Sequence, residues 1–423
     1  MIVGRLRQRG GIMTQRPGWV DHFIGWHVYP LGFVGAPMRL ESHEVSHRLG
    51  HLEAWLDHAL ALGCSGLALG PVFSSASHGY DTLDYFTIDP RLGDDTDFDR
   101  LIEAAHDRGL SVLLDGVFNH LSIRNHIVQD AWSAGPNSDV GRMVRWRDGQ
   151  LDVFEGHGDL VAFNHDDPAV RELVTRVMNY WCDRGVDGWR LDAAYSVNPE
   201  FWATVLPSVR ETHPDVWIFG EVIHGDYAGI VRASGMDSVT QYELWKAMWS
   251  SIESHNFFEL DYALGRHNEF SDAFTPMIFV GNHDVTRIAS KVGQDGAALA
   301  TAILATIGGI PLIYYGDELS YRGIKEERFG GDDDIRPVFP ASPADLSDLG
   351  ADALRAHQDL LGLRRRHPWL VDARTESLDL TNERYVYRSG VPGVEPLIVE
   401  LDVRDGCSAL IREAGQIIWS SRA

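Results

Sequence analysis

The chain has 423 residues, 44% of them hydrophobic, enough for one large domain with an appendage or for two domains. Its 61 acidic against 37 basic residues give a formal net charge of -24, which disfavours nucleic acid and anionic membranes as partners and suits a neutral substrate. The three cysteines (Cys64, Cys182, Cys407) form no CxxC pair and, being odd in number, no disulfide framework. No apolar run reaches the ~18 residues of a membrane span. None of signal-peptide length follows Arg5, Arg7 and Arg9, so a cytoplasmic location is expected.

Residues 1–21 read as a leader, with Met13 as an alternative start. Residues 22–30 are an apolar run suited to a buried first strand. A helix over about 49–62 has Leu52, Trp55, Leu56, Ala59 and Leu60 at helical spacing. Gly66 to Pro71 reads as a second strand, about 97–108 as a helix, and Ser111 to Val117 as a third strand. The stretch 121–163 is polar and mixed, and a connection of that length inside a compact domain is usually functional. Pro168 starts a strong amphipathic helix that ends at Gly185. The alternation then continues, with strands at about 188–193, 217–222, 238–242, 277–282 and 311–315. Helices are expected at about 198–213, from 226, through 252, and at 295–307 and 350–366.

Eight strands alternating with eight helices predict a parallel (β/α)8 barrel. The alternative is an open doubly wound sheet, but no Gly-rich dinucleotide fingerprint follows the first strand. From about residue 370 short strand-like runs at 378–380, 384–387, 397–401 and 417–419 predict a small β appendage. The expected organisation is a barrel over 22–120 and 164–369, an insertion over 121–163 and a β domain over 370–423.

In such a barrel, polar residues at the C-terminal ends of strands form the active face. Strand 3 ends Asp115-Gly-Val-Phe-Asn119-His120, strand 4 Arg190-Leu-Asp192, strand 5 Gly220-Glu221 and strand 7 Asn282-His283-Asp284. Singly, each is as well explained by an ion pair, a cap or a solvated face. Four strands delivering carboxylates to one rim point to chemistry. The spacing lacks the HxxxH or HxH pairs that seat two metal ligands, so no metal is expected. Paired carboxylates without a metal suit glycosidic bond cleavage, in which one acid is ionised and another holds a proton. Arg190 lies two residues before Asp192 on the same strand face, which favours the Asp192 carboxylate as nucleophile. Glu221 sits between Phe219-Gly220 and Val222-Ile223, an apolar setting expected to raise its pKa and make it the general acid/base. Asp284 is the third, non-covalent carboxylate.

The stretches Asp115–His120, Gly185–Asp192, Gly220-Glu221 and Phe279–Asp284 resemble the four signature blocks of the α-amylase superfamily, glycoside hydrolase family 13, in the right order. His78–Tyr85 and Gly309–Glu318 also resemble it. The resemblance covers roughly residues 22–340. It implies a retaining double displacement with Asp192 as nucleophile, Glu221 as acid/base and Asp284 holding sugar hydroxyls. It also implies substrate contacts at Tyr80, Asp115, His120, Arg190 and His283, with Tyr195, His224 and Arg287 as further candidates. The insertion at 121–163 corresponds to the family's domain B and the tail to its domain C.

Many starch-degrading members carry Lys-His after the nucleophile. Here Ala193-Ala194-Tyr195-Ser196 departs from that, which weakens the case for liquefying activity and for a structural calcium; no cofactor is expected. Glu221-Val-Ile-His224 and Gly331–Arg336 look closer to the cyclomaltodextrinase and neopullulanase group, and Asp332 and Arg336 become candidate substrate contacts. Two features depart from that group. Its extra N-terminal domain does not fit before residue 22, and its aromatic two residues past the acid is replaced by Ile223. The expected substrate is a neutral α-glucan oligosaccharide, small or cyclic, with a cyclic maltosyl-maltose as one specific candidate. Members of this group commonly form homodimers. The motifs do not separate hydrolysis from transglycosylation or α-1,4 from α-1,6 specificity.

Overall fold

The computed structural model describes residues 16–328 and 330–422. Eight parallel strands form a barrel: β1 (Gly25–Val28), β2 (Gly66–Leu69), β3 (Ser111–Gly116), β4 (Gly188–Leu191), β5 (Trp217–Gly220), β6 (Ser238–Val239), β7 (Met277–Phe279) and β8 (Ile310–Tyr314). β1 pairs with both β2 and β8, and a single bridge, Thr240 to Met277, joins β6 to β7 and completes the ring. Most strands are shorter than their apolar runs. The runs continue into the rim, where the chain leaves the ladder to present side chains.

Strand alternation sorts the side chains into two layers. Leu113, Phe219, Met277, Phe279, Ile310 and Leu312 point into the barrel and pack with Phe23 and Ala68. Val112, Leu114, Trp189, Leu191 and Ile218 point outward under the helices. Strands buried on both faces read as continuous apolar runs, which is why they stand out in the sequence. Gly188 is required by close approach: a Cβ there would lie 2.5 Å from the Trp217 carbonyl oxygen.

The helices that cover the barrel are α1 (Leu56–Leu62), α2 (Asp95–Asp107), α3 (Pro168–Asp183), α4 (Pro199–Thr212), α5 (Tyr227–Ser234), α6 (Tyr242–Glu253), α7 (Ile288–Thr306) and α8 (Ala351–Arg366). α3 shows the local logic. Asp167 caps it by accepting the Ala169 N–H at 2.9 Å, and Pro168 occupies the first turn. Its buried face holds Val170, Leu173, Val174, Val177, Met178 and Trp181, each contributing about 1.5–3 kcal/mol by burial.

Several expectations need correction. The helix expected over 49–62 is two, Leu49–Glu53 and Leu56–Leu62, separated at Ala54-Trp55. A further helix, Phe257–Phe270, fills the stretch between strands 6 and 7, where the sequence suggests none. α7 starts earlier than expected and is interrupted at Gly293, whose φ of 73° is left-handed. The leader expected over 1–21 lies outside the described residues only through residue 15. Gly18–His22 is a 3-10 helix with Val20 buried, and Arg16 bonds Asp21 and Thr275.

Within 121–163, His120–Ser122 pairs antiparallel with Leu160–Ala162, and the helix His126–Ala134 and a two-residue hairpin fill the rest. After α8, five strands form an antiparallel meander: β9 (Arg374–Leu380), β10 (Arg384–Gly390), β11 (Leu397–Asp402), β12 (Ser408–Glu413) and β13 (Gln416–Ser420). β12 is not evident in the sequence because its apolar run, Ala409-Leu410-Ile411, is short and flanked by polar residues. The meander is tied to the barrel by Tyr387 to Thr306 (2.6 Å) and Tyr385 to Asp261 (2.8 Å). Among the described residues no helix is long and apolar enough to cross a membrane.

Candidate active site

The C-terminal ends of β3, β4 and β5 converge on one guanidinium. In register, Arg190 lies beside Asp115 on β3 and beside Phe219 on β5. Its Nη1 donates to both oxygens of Asp115, at 2.7 and 2.6 Å, and to Asp192 Oδ1 at 3.2 Å. Its Nη2 lies 2.8 Å from Glu221 Oε1. All four groups are buried. Arg190 and Asp192 share a strand face as expected, but one cation serves three acids, two of them more closely than Asp192.

Arg190 favours the charged form of Asp192 as expected, but other features of its surroundings oppose it. Burial pushes the Asp192 carboxyl well above its ordinary range, the Glu221 carboxylate adds to this, and Arg190 offsets only part. The apolar surroundings expected for Glu221 are corrected. Its carboxylate accepts from the Ala193 N–H at 3.0 Å and the Tyr242 hydroxyl at 3.1 Å in addition to Arg190.

Ala193 is a non-glycine residue in left-handed conformation, with φ 46° and ψ 36°. Such backbone costs about 1–3 kcal/mol and persists where surrounding structure imposes it. Here it swings the amide that follows Asp192 onto Glu221 Oε2, so the turn after one acid fixes the other.

Asp284 faces this pair from β7, and its side chain is about a third exposed (34%). Enclosure at the rim opposes its charge, but His283 and Arg336 outweigh that and hold it well below the usual carboxylate range. His283 Nε2 lies 3.0 Å from Asp284 Oδ2, and Arg336 Nη2 donates to Asp284 Oδ1 at 3.0 Å. Arg336 also pairs with Asp332 at 2.9 Å and lies over the Tyr29 ring. The Tyr80 hydroxyl donates to Asp115 at 2.9 Å and meets His283 Nε2, with the two rings parallel at 5.2 Å.

The structure thus brings together Asp192, Glu221, Asp284, Asp115, Arg190, Tyr80, His283, Asp332 and Arg336. His120 is adjacent but engaged: its ring bonds the Tyr80 carbonyl at 2.9 Å and the Asn119 amide at 3.1 Å, and stacks on Phe154. Burial lowers its pKa to about 4, so it is neutral at pH 7. Tyr195 and His224 stand on the rim past the two acids, rings 6.0 Å apart, and the Tyr195 hydroxyl donates to Glu155 of the insertion at 3.0 Å.

Arg287 is a correction. Its guanidinium is fully buried, donating to Asp317 at 2.8 Å and to the Tyr315 and Ile335 carbonyls, so it braces the loop after β8 and is not a substrate contact. One further residue of the site, Tyr242, escapes the sequence reading; its hydroxyl accepts from Nδ2 of Asn282 at 2.8 Å. The signal for Tyr242 is its place just past strand 6, which corresponds to the places of the acids on strands 4, 5 and 7.

One group among the described residues could hold a cation: His47, Asp94 and Asp97, with ligand atoms within 4.8 Å of one another. Asp94 and Asp97 form the capping box that starts α2, which accounts for both carboxylates.

The model of the α-amylase catalytic domain matches residues 52–156 and 153–374. Maltogenic α-amylase of Bacillus acidopullulyticus is 28% identical over 389 residues, covering 85% of this chain and 65% of that protein. Cyclomaltodextrinase of a Bacillus species is 28% identical over 347 residues, covering 73% and 61%. Neopullulanase 2 of Thermoactinomyces vulgaris is 32% identical over 279 residues, covering 62% and 48%. The chain thus spans between about half and two-thirds of the length of these curated relatives. Among solved structures, cyclic α-maltosyl-(1→6)-maltose hydrolase from Arthrobacter globiformis superposes with TM-score 0.82 at 22% identity, covering 96% of this chain and 99% of that one. The Nostoc punctiforme debranching enzyme superposes with TM-score 0.79 at 25% identity, covering 92% and 89%. With this match over most of its length and the acids at the ends of β4, β5 and β7, the chain belongs to the α-amylase family, glycoside hydrolase family 13.

Proposed function

We propose that this protein is a retaining glycosidase that cleaves α-1,4-glucosidic bonds of small or cyclic maltooligosaccharides. The observation that carries the reading is the cluster of Asp192, Glu221 and Asp115 around Arg190, faced by Asp284. In the first step an Asp192 oxygen attacks C1 of the sugar and the C1–O bond breaks. Glu221 donates its proton to the departing oxygen, leaving a glycosyl ester on Asp192. In the second step Glu221 takes a proton from water, whose oxygen attacks C1 and frees Asp192. Asp192 must be ionised at the moment of attack. Before attack the proton therefore resides on Glu221, which Ala193 and Tyr242 hold in place, and the ionised Asp192 stabilises the positive charge that develops at C1.

The ionised Asp284, with His283, Tyr80 and Arg336 around it, offers acceptors and donors for the hydroxyls of the same sugar ring. A neutral substrate fits the acidic chain. The names of the relatives, cyclomaltodextrinase and maltogenic amylase, support small or cyclic glucans. A relative named intracellular maltogenic amylase, from Bacillus subtilis, supports action inside the cell on imported oligosaccharides.

Initial rates on starch, linear maltooligosaccharides, cyclodextrins, a cyclic maltosyl tetrasaccharide, trehalose and sucrose test the reading. Maltose and glucose should form fastest from short or cyclic glucans. Faster cleavage of starch, or of trehalose or sucrose, contradicts it. Mainly larger sugars at high substrate would establish a transglycosylase, which shares the first step.

A further inference from the structure

The opposite end of the barrel contains a cavity of about 250 Å³ between the starts of β1, β2 and β8 and the C-terminal end of α8. Its lining carries Arg364, Arg365, His22 and His367, and one carboxylate, Asp21. In a chain of net charge -24 that balance is inverted.

Asp21 is already engaged by Arg16, at 2.6 Å, and His367 gives its two ring nitrogens to Glu413 and to the Leu363 carbonyl. Arg364 is buried and has no carboxylate partner among the described residues. Its terminal nitrogens donate to the carbonyls of Ala305, Ile307 and Gly309, capping the end of α7, while its Nε–H donates to no described residue. Burial alone lowers its pKa to about 9. The side chains of Arg365 and His22 are exposed and have no hydrogen-bond or ion-pair partner among the described residues.

A buried cation without a counter-charge is costly, and an anion in an adjoining cavity relieves that cost. The volume exceeds what a halide needs, and the guanidinium groups of Arg364 and Arg365 suit a tetrahedral oxyanion. We propose that this cavity binds a phosphate group, either inorganic phosphate or the phosphate of a small ester. The ligand lies at the end of the barrel associated with stability, away from the rim where the acids meet.

The test is thermal unfolding of the full chain at pH 7 with increasing inorganic phosphate, against sodium chloride at equal ionic strength, and with glucose 6-phosphate in a parallel series. A saturable Tm rise of about 2 °C or more is expected with phosphate and not with chloride. Arg365→Gln and His22→Gln should each weaken the apparent affinity about 10-fold while leaving kcat on maltooligosaccharides unchanged. Both side chains are exposed and unpartnered, so the variants should fold. Tighter binding of glucose 6-phosphate identifies an ester as the occupant, and equal or weaker binding identifies free phosphate. Absence of a saturable rise, an equal rise with chloride, or an unchanged response in Arg365→Gln overturns the proposal.

Discussion

The two ends of the barrel use carboxylates in opposite ways. At the N-terminal end the acids just before β4 and β6 bond backbone. Asp187 accepts the Val112 N–H at 2.8 Å and His106 Nε2 at 2.9 Å, and Asp237 accepts the Ile218 N–H and Arg210, both at 2.8 Å. These acids fasten the start of one strand to its neighbour. At the C-terminal end Asp115, Asp192 and Glu221 crowd one guanidinium, and the only backbone donor among the contacts described for them is the strained Ala193 amide. Carboxylates satisfied by local N–H groups are structural. Carboxylates forced to share a cation are poised to exchange protons and charge.

That contrast predicts that rim variants lose activity and bottom variants lose stability. The largest effect is expected for Asp192→Asn: a fall in kcat of about 10⁴-fold or more with unfolding unchanged or shifted upward, since a buried carboxyl is removed. Steady-state rates and calorimetry on the same preparation check both halves. Arg190→Met should abolish activity and also cost about 3–5 kcal/mol, because three buried acids lose their cation; denaturant titration measures it. Ala193→Val puts a β-branched residue at a φ of 46° and should cost about 1–3 kcal/mol. It should also lower kcat as Glu221 loses its fixed donor, whereas Ala193→Gly should restore both.

Asp187→Ala, at the bottom, should cost about 1–3 kcal/mol with kcat within about 2-fold of the parent. A loss of activity larger than the loss of stability there would break the distinction between the two ends. The smallest effect concerns pH. Burial lowers His267 to about 4, below its unfolded value, so the unfolded chain binds more protons between about pH 6.5 and 4 and stability falls as pH falls through that window. His267→Gln should flatten this decline by up to about 1.4 kcal/mol per pH unit, read as a shallower Tm-versus-pH curve.

The barrel strands are legible in the sequence because burial on both faces leaves continuous apolar runs, and the rim acids because each ends such a run. The Arg190–Asp192 pair is legible too, being local to one strand. Arg190's closer bonds to Asp115 and Glu221 are not, because they depend on the register of β3, β4 and β5. The same holds for Tyr242 on Glu221 and for Glu155 on Tyr195, whose partners lie tens of residues away. Arg287 misleads because its motif position indicates the rim, whereas Asp317 and two carbonyls draw its guanidinium beneath it. The helix at Phe257–Phe270 is hidden by its aromatic-rich, polar-mixed pattern.

The central claim is that Asp192 forms a covalent bond with the sugar. Incubation with a slow-reacting fluorinated α-glucosyl fluoride, followed by peptic digestion and mass spectrometry, tests it directly. One added fluoroglucosyl group on the peptide containing Asp192, absent in Asp192→Asn, is predicted. An adduct on any other residue, or an inverted anomer as the first product of normal turnover, would contradict it.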